Sequence, residues 1–406
     1  MNIKEKLYER FVGYVKVDTK SDGANAANTP SSLGQTVLAK MLSAELKKLG
    51  LKNVLLTKHS YVLAELPANT AKKMPAVGFM AHMDTSPDFS GANVKPKLHK
   101  NYNGGKLVIG NGIVNDPKQD PNLKFCKGHD IVTASGDTLL GGDDKAGIAI
   151  IMTMLEYLGE NPQIKHGPVK VAFTVDEEIG HGSALLPLDK FKADFAYTLD
   201  SYIVDIGRGN FNADACTITI TGVNTHPGLA KGVLVSPLLI ASEIITMWPK
   251  KHRAEHTDKE KGFIHFNEIN GGIEKIILKA IAREHDLKKL FAMEAELKAL
   301  CRKIEAGHKG AKISVQFKES YRNMKDILKK QPKAMDYLLR ALKETKVSYR
   351  LEQARGGTDG ARLSFRGLPT PNLFGCYSSA HGPYEWASLD RMVDTLRVCL
   401  NIIKER

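Results

Sequence analysis

Apolar residues recur every three or four positions through 3–16 and 32–49, which predicts a helix over each stretch. The second is bounded by Ser31 and Ser32 at its start and Gly50 at its end, residues that favour helix caps. Strand-like runs follow at 54–56 and 62–66, then an apolar run at 76–81. Residues 86–135 are rich in Gly, Asn, Pro and Asp with little periodicity, so loops with short strands are expected there. The segment 147–158 is apolar on most sides and reads as a buried helix, while 169–175 and 195–199 have the length and composition of buried strands.

The pattern changes after Gly209. Residues 216–221 (CTITIT) alternate with period two, as in a strand with one wet face. A helix at about 236–248, strands at 263–270 and 275–282, and a long amphipathic helix follow. That helix carries Leu287, Leu290, Leu297, Leu300 and Ile304 on one face and ends at Gly307, before a strand at 313–317. The order βαββαβ describes an inserted α+β domain. The α/β pattern then resumes with a helix near 331–345, a Gly-rich loop at 355–360, a strand at 372–376 and a last helix near 388–404. The expected fold is therefore α/β. A mixed-sheet catalytic domain is made of 1–211 and 325–406, and a lid at 212–324 offers a surface for dimerisation.

Composition adds limits to this picture. The chain has 406 residues, 58 Lys and Arg against 45 Asp and Glu, and a net charge of +13. Such an excess raises nucleic acid as a partner. However, no zinc finger, RNP motif or basic block accompanies it, and 212–324 holds 18 Lys and Arg against 13 Asp and Glu. The charge is spread along the chain, so no nucleic-acid partner is expected. The five cysteines are dispersed with no CxxC pair, which argues against a disulfide framework. No run approaches the roughly 18 apolar residues of a membrane helix, and the N-terminus mixes charges where a signal peptide needs an apolar core. A cytoplasmic protein without membrane contact is the expectation.

The candidate chemistry stands at strand ends, where open parallel sheets bind ligands. The run 76–81 leads into His82-Met-Asp84, 169–175 into Asp176-Glu177-Glu178, 195–199 into Asp200, and 372–376 toward His381. Gly142-Asp143-Asp144-Lys145 precedes the buried helix. Each group alone has an ordinary explanation: an Asp before a helix is usually a cap, paired Glu residues are usually solvated, and HxD is common by chance. Together, two His and three or four carboxylates form the nitrogen and oxygen set that zinc accepts. In the Glu177–Glu178 pair one residue can ligate while its neighbour acts as base.

HMDTSPD (82–88), LLGGDDKAGIA (139–149), FTVDEEIG (173–180), HPGLAKG (226–232), RGGTDGARLSFRGLPTPNLF (355–374) and AHGPYE (380–385) resemble the peptidase T family. These are aminotripeptidases of the co-catalytic di-zinc metallopeptidase clan, and the resemblance covers essentially the whole chain. It implies a cytoplasmic metallo-aminopeptidase acting on short peptides, with two zinc ions or other divalent metals, and a homodimer. It implies that His82, Asp143 and Asp200 hold one metal and Asp143, Glu178 and His381 the other. Asp143 is preferred to Asp144 because the clan's ligand stands two residues before the Lys. Glu177 would be the general base acting on a metal-bridging water, Asp84 would orient His82, and His226 would stabilise the oxyanion, in cis or from a partner protomer. Arg283 aligns with the family's carboxylate-binding Arg, with a solvated arginine at a helix start as the alternative. Asn224, Arg355, Thr358 and Asp359 are further substrate-contact candidates. Departures at Gly142, Val175, Leu199, Ser201 and Ala380 flank the ligand positions and leave every ligand in place. A related di-zinc hydrolase, whether dipeptidase, aminoacylase or carboxypeptidase, is the alternative activity.

Overall fold

The computed structural model describes residues 2–405. The chain divides into two compact units, one running through Arg208 and resuming over Met324–Glu352 and from Thr358 onward, the other made of Gly209–Asn323 and Gln353–Gly357.

The first unit is built on a five-stranded mixed sheet in the order Lys52–Leu56, Val62–Leu66, Val169–Thr174, Val77–His82, Phe195–Thr198. The last three strands run parallel, and the first two pair antiparallel. Every residue of Val77–His82 is buried, because packed elements cover both faces of this central strand. The helix Gly142–Glu160 packs on it and is flanked by the helices Ile3–Val15 and Leu389–Ile403. Helix Leu33–Lys48 packs on the two antiparallel strands. Its N-cap, Ser32, makes no side-chain cap bond, and Ser31 is used elsewhere. Residues 86–135 contain the short strands Lys97–His99, Leu107–Gly110, Ile113–Asn115 and Ile131–Thr133.

Two expectations change in this unit. Residues 372–376 join no sheet as a strand: Asn372 makes single bridges to Thr198 and Gly207, and pairing resumes only at Tyr377–Ser378. Cys376 turns to a φ of 69°, which breaks the extended run. The Gly-rich loop at 355–360 is cut short by a helix, Asp359–Phe365, whose Thr358 side chain accepts the N–H of Ala361.

The second unit shows the βαββαβ order in full. Its antiparallel sheet runs Phe263–Gly271, Lys275–Glu284, Asn212–Thr221, Lys312–Tyr321. Helices Pro237–Met247 and Leu287–Gly307 cover one face, with Ile218, Ile220, Leu278, Ala280, Leu290 and Leu297 in the core between. Burying each large aliphatic side chain contributes about 1.5–3 kcal/mol. Residues 209–211 and 353–357, assigned from the sequence to the catalytic part, group with this unit. Phe211 donates its N–H to Ala354, and the Arg355 guanidinium lies over the rings of Phe211 and Phe263.

Candidate metal centre

Three parallel strands, the first turn of a helix and the loop that carries His381 deliver the cluster. His82 ends its strand level with Thr174, so the chain beyond Thr174 brings Glu177 and Glu178 beside it. Phe195–Thr198 delivers Asp200 two residues past its end. The fourth contribution is Asp143, in the first turn of Gly142–Glu160, where Asp143 and Asp144 leave helical geometry and are joined by a cis peptide.

The two aspartates have different surroundings. Asp144 is fully buried, and its carboxylate accepts the N–H groups of His82 and Gly147, both at 3.3 Å. It takes the ordinary capping role. Asp143 faces the histidines instead: Oδ1 lies 3.0 Å from His82 Nε2, and Oδ2 lies 3.5 Å from His381 Nε2. His82 Nε2 is 4.0 Å from Asp200, and His381 Nε2 is 3.0 Å from Glu178 Oε2. One carboxylate thus stands between two imidazoles, each with a further carboxylate of its own. Ligand-type atoms of His82, Asp143 and Glu178 lie within 4.8 Å of one another, as do those of His82, Glu177 and Asp200.

The electrostatics fit a cation. Burial, and then the charge of Asp143, pushes the Glu178 carboxyl up to about 7 and that of Asp200 up to about 6. Burial and the charge of Asp200 raise Glu177. Burial opposes ionisation of Asp143 too, but its bonds to His381 and His82 outweigh that and hold it low. Glu178 Oε1 is buried without a hydrogen-bond partner. Crowded carboxylates and an orphaned carboxylate oxygen are what a divalent ion would satisfy, and the N/O donor set suits zinc or a similar metal.

The other sequence candidates take varied places. Asp84 is fully buried. His82 Nδ1 lies 3.0 Å from the Asp84 main-chain oxygen and 3.4 Å from its carboxylate, whose shorter bonds come from the N–H groups of Glu177 and Glu178. Asp359, expected at the substrate, is buried and occupied within its own unit, accepting from Thr174 Oγ1 at 2.8 Å and Ser183 N at 2.6 Å. Thr358 caps its helix and donates to Asn372. Arg355 belongs to the second unit, where its guanidinium donates to the carbonyls of Lys259 and Lys261. Arg283 is on a strand, half-buried, with its guanidinium 5.1 Å from the centre of the Tyr321 ring, which removes the helix-start alternative. Asn224 and His226 are exposed in the second unit, and His226 Nδ1 accepts the N–H of Gly228. A cavity of about 710 Å³ in that unit, lined among others by Lys251, Lys259, Glu260 and Lys289, contains none of these candidates.

Several supporting groups escaped the sequence reading. Tyr377 donates its hydroxyl to Asp200 Oδ1 at 2.6 Å. Asp88 lies 3.4 Å from His381 Nδ1. Asp176 accepts the Ser31 N–H at 2.8 Å and the Gln35 side chain at 2.7 Å, tying the Glu177–Glu178 loop to a helix start. Glu385 accepts three main-chain N–H groups around Asp143. Asp88, Asp176 and Glu385 all lie inside the motifs quoted above, which was the available signal, but spacing alone does not tell what a carboxylate faces.

Known proteins resemble this chain over most of its length. Residues 140–405 match the model of peptidase family M20/M25/M40. Peptidase T of Geobacillus sp. (strain WCH70) is 41% identical over 99% of this chain and 98% of its own. A tripeptidase structure from Staphylococcus aureus superposes with a TM-score of 0.76 at 21% identity, covering 99% of this chain and 98% of that one. A Bacillus subtilis structure described as a dinuclear metal binding peptidase superposes at 0.65 with 14% identity, covering 98% and 97%. The chain belongs to peptidase family M20/M25/M40 and, within it, to the peptidase T group.

Proposed function

We propose that the chain is a di-zinc aminopeptidase that removes the N-terminal residue from tripeptides. The observation that carries this reading is the Asp143 carboxylate, with one oxygen turned to His82 and the other to His381. His82, Asp143 and Asp200 would hold one metal, and Asp143, Glu178 and His381 the other. When bound, the metals supply Lewis-acid polarisation of the scissile carbonyl and lower the pKa of the attacking water.

The chain's own groups account for the remaining steps. Glu177 takes a proton from the water as its oxygen attacks the carbonyl carbon, and returns a proton to the amide nitrogen as the C–N bond breaks. Burial and the charge of Asp200 raise its pKa, which favours the protonated form it passes through between the two transfers. Asp84 holds Glu177 and Glu178 by their main-chain N–H groups. His226 is proposed as the oxyanion donor and Arg283 as the anchor for the peptide carboxylate, with Asn224 as a weaker contact. The exposed His226 imidazole leaves Nε2 open for such a role, and a planar guanidinium suits bidentate carboxylate binding.

A homodimer belongs to the same proposal. Leu229, Leu234, Leu238 and Leu239 leave exposed apolar surface on the second unit, and light scattering would report the mass. Among the described residues no helix is long and apolar enough to cross a membrane. The five free, buried cysteines are compatible with the cytoplasmic location we propose.

The test is hydrolysis of di-, tri- and tetrapeptides by the zinc-loaded protein, with N-acetyl and C-amide versions alongside. Release of the first residue from tripeptides, lost on acetylation, is expected. Preference for acetylated substrates would point to an aminoacylase, and a folded protein inert with zinc, cobalt and manganese would overturn the reading.

A further inference from the structure

We propose that Glu385 is a positioning residue that fixes Asp143 against His381 and thereby sets the spacing between the two halves of the metal centre. The inference rests on the metal-holding role proposed for Asp143 and His381. Glu385 stands four residues after His381 and immediately before the strand Trp386–Ser388, whose pairing with Ile131–Thr133 anchors it. Its own N–H donates to the carbonyl of Gly382 at 3.2 Å, closing the turn that follows His381.

The side chain reaches the other half. It is 1% exposed, and Oε2 receives the N–H groups of Leu140 at 2.7 Å and Gly141 at 2.8 Å, while Oε1 receives that of Asp143 at 3.0 Å. These donors lie at the head of the helix Gly142–Glu160, where main-chain N–H groups lack partners inside the helix. Gly142 eases the approach: a Cβ there would stand 3.2 Å from Glu385 Oε1 and 3.1 Å from Tyr377 Cβ, so those neighbours would have to give slightly. One carboxylate therefore ties the main chain of Asp143 to the segment that carries His381.

The chemistry of the side chain matters because all three partners are donors. A carboxylate accepts on both oxygens, whereas the amide of Gln presents N–H to at least one main-chain N–H. Asp keeps the charge and both acceptors on a shorter stem.

The experiment compares wild type, Glu385→Gln and Glu385→Asp. Hydrogen exchange at Leu140, Gly141 and Asp143 is read in the metal-free protein. Zinc affinity is read by calorimetry, ligand geometry by the absorption spectrum with cobalt, and the fold by circular dichroism. In Glu385→Gln we expect faster exchange at the three amides, a zinc affinity lowered roughly 10–100-fold and a shifted cobalt spectrum, with partial recovery in Glu385→Asp. A purely structural role would lower the melting midpoint while leaving affinity and spectrum of the folded protein unchanged, and that result overturns the proposal. If the glutamine variant does not fold, the aspartate variant carries the same readings. A wild type that binds no metal refutes the reading of the metal centre, whereas unaltered metal binding in the variants refutes the role of Glu385.

Discussion

The Asp84 carboxylate receives the N–H of Glu177 on Oδ1 at 3.0 Å. Its other oxygen receives the N–H of Glu178 at 3.1 Å, so one buried side chain sets where both glutamates begin. Asp84→Asn turns an NH₂ group toward one of those donors and leaves a main-chain N–H without an acceptor. The expected result is a kcat on tripeptides reduced about 10–100-fold, with the circular dichroism spectrum preserved. A wild-type kcat in this variant would show that holding the two N–H groups is irrelevant to turnover.

Glu177 and Glu178 are neighbours with different proposed tasks, and their variants separate them. Glu177→Gln should reduce kcat by about 10²–10⁴-fold, the usual contribution of a general base, while keeping both metals. Glu178→Gln should lose metal. Elemental analysis of the purified variants beside their kcat values checks the division, which collapses if the two lose metal equally.

The sequence revealed the long helices and the buried strands because their periodicity or apolar length is a local property. It also offered the five metal-holding candidates, which the fold brings together from positions some 300 apart in the chain. The contacts that hold those residues were not legible. Ser31 looks like a helix cap, yet it serves Asp176, 145 positions away. Asp359 looks like a substrate contact, but its carboxylate is consumed by Thr174 and Ser183. A buried carboxylate and a solvated one are the same letter, and only the fold decides which donors surround it. The segment at 372–376 misled for a related reason: its composition suits a strand, but Cys376 leaves extended geometry at a φ of 69°.

Removing the metals should destabilise as well as inactivate. Without a cation the cluster leaves Glu178 Oε1 buried and unpartnered and crowds several carboxylates together. A ligand present at 100 times its Kd stabilises by about 2.7 kcal/mol, so chelation should lower the melting midpoint by a few degrees, and zinc should restore it. Affinity should also fall as pH drops through 7 to 6, because Glu178 at about 7 and Asp200 at about 6 gain protons that compete with the metal. Zinc titrations at pH 6 and 8 read this directly. Equal affinity at both values would mean that these two carboxylates are not ligands.

A second pH effect belongs to the inserted unit, away from the metal centre. Glu294, on the buried face of Leu287–Gly307, has its carboxyl raised to about 7 by burial and then by its hydrogen bond with Asp214 and the charge there. Asp214 is itself paired with Arg322, so the cation is already committed when Glu294 ionises. The fold favours the neutral acid. That contribution is whole below the ordinary carboxylate range and fades as pH rises through about 7, where the unit must hold a second buried negative charge. Glu294→Gln stays neutral throughout and can still donate to Asp214. It should therefore match wild type near pH 4 and exceed it at pH 8, by less than about 1.36 kcal/mol per pKa unit because solvent screens part of the charge. Denaturant midpoints of the two proteins at both pH values measure the difference. A gain that is the same at pH 4 and pH 8 would trace it to packing and not to the charge on Glu294.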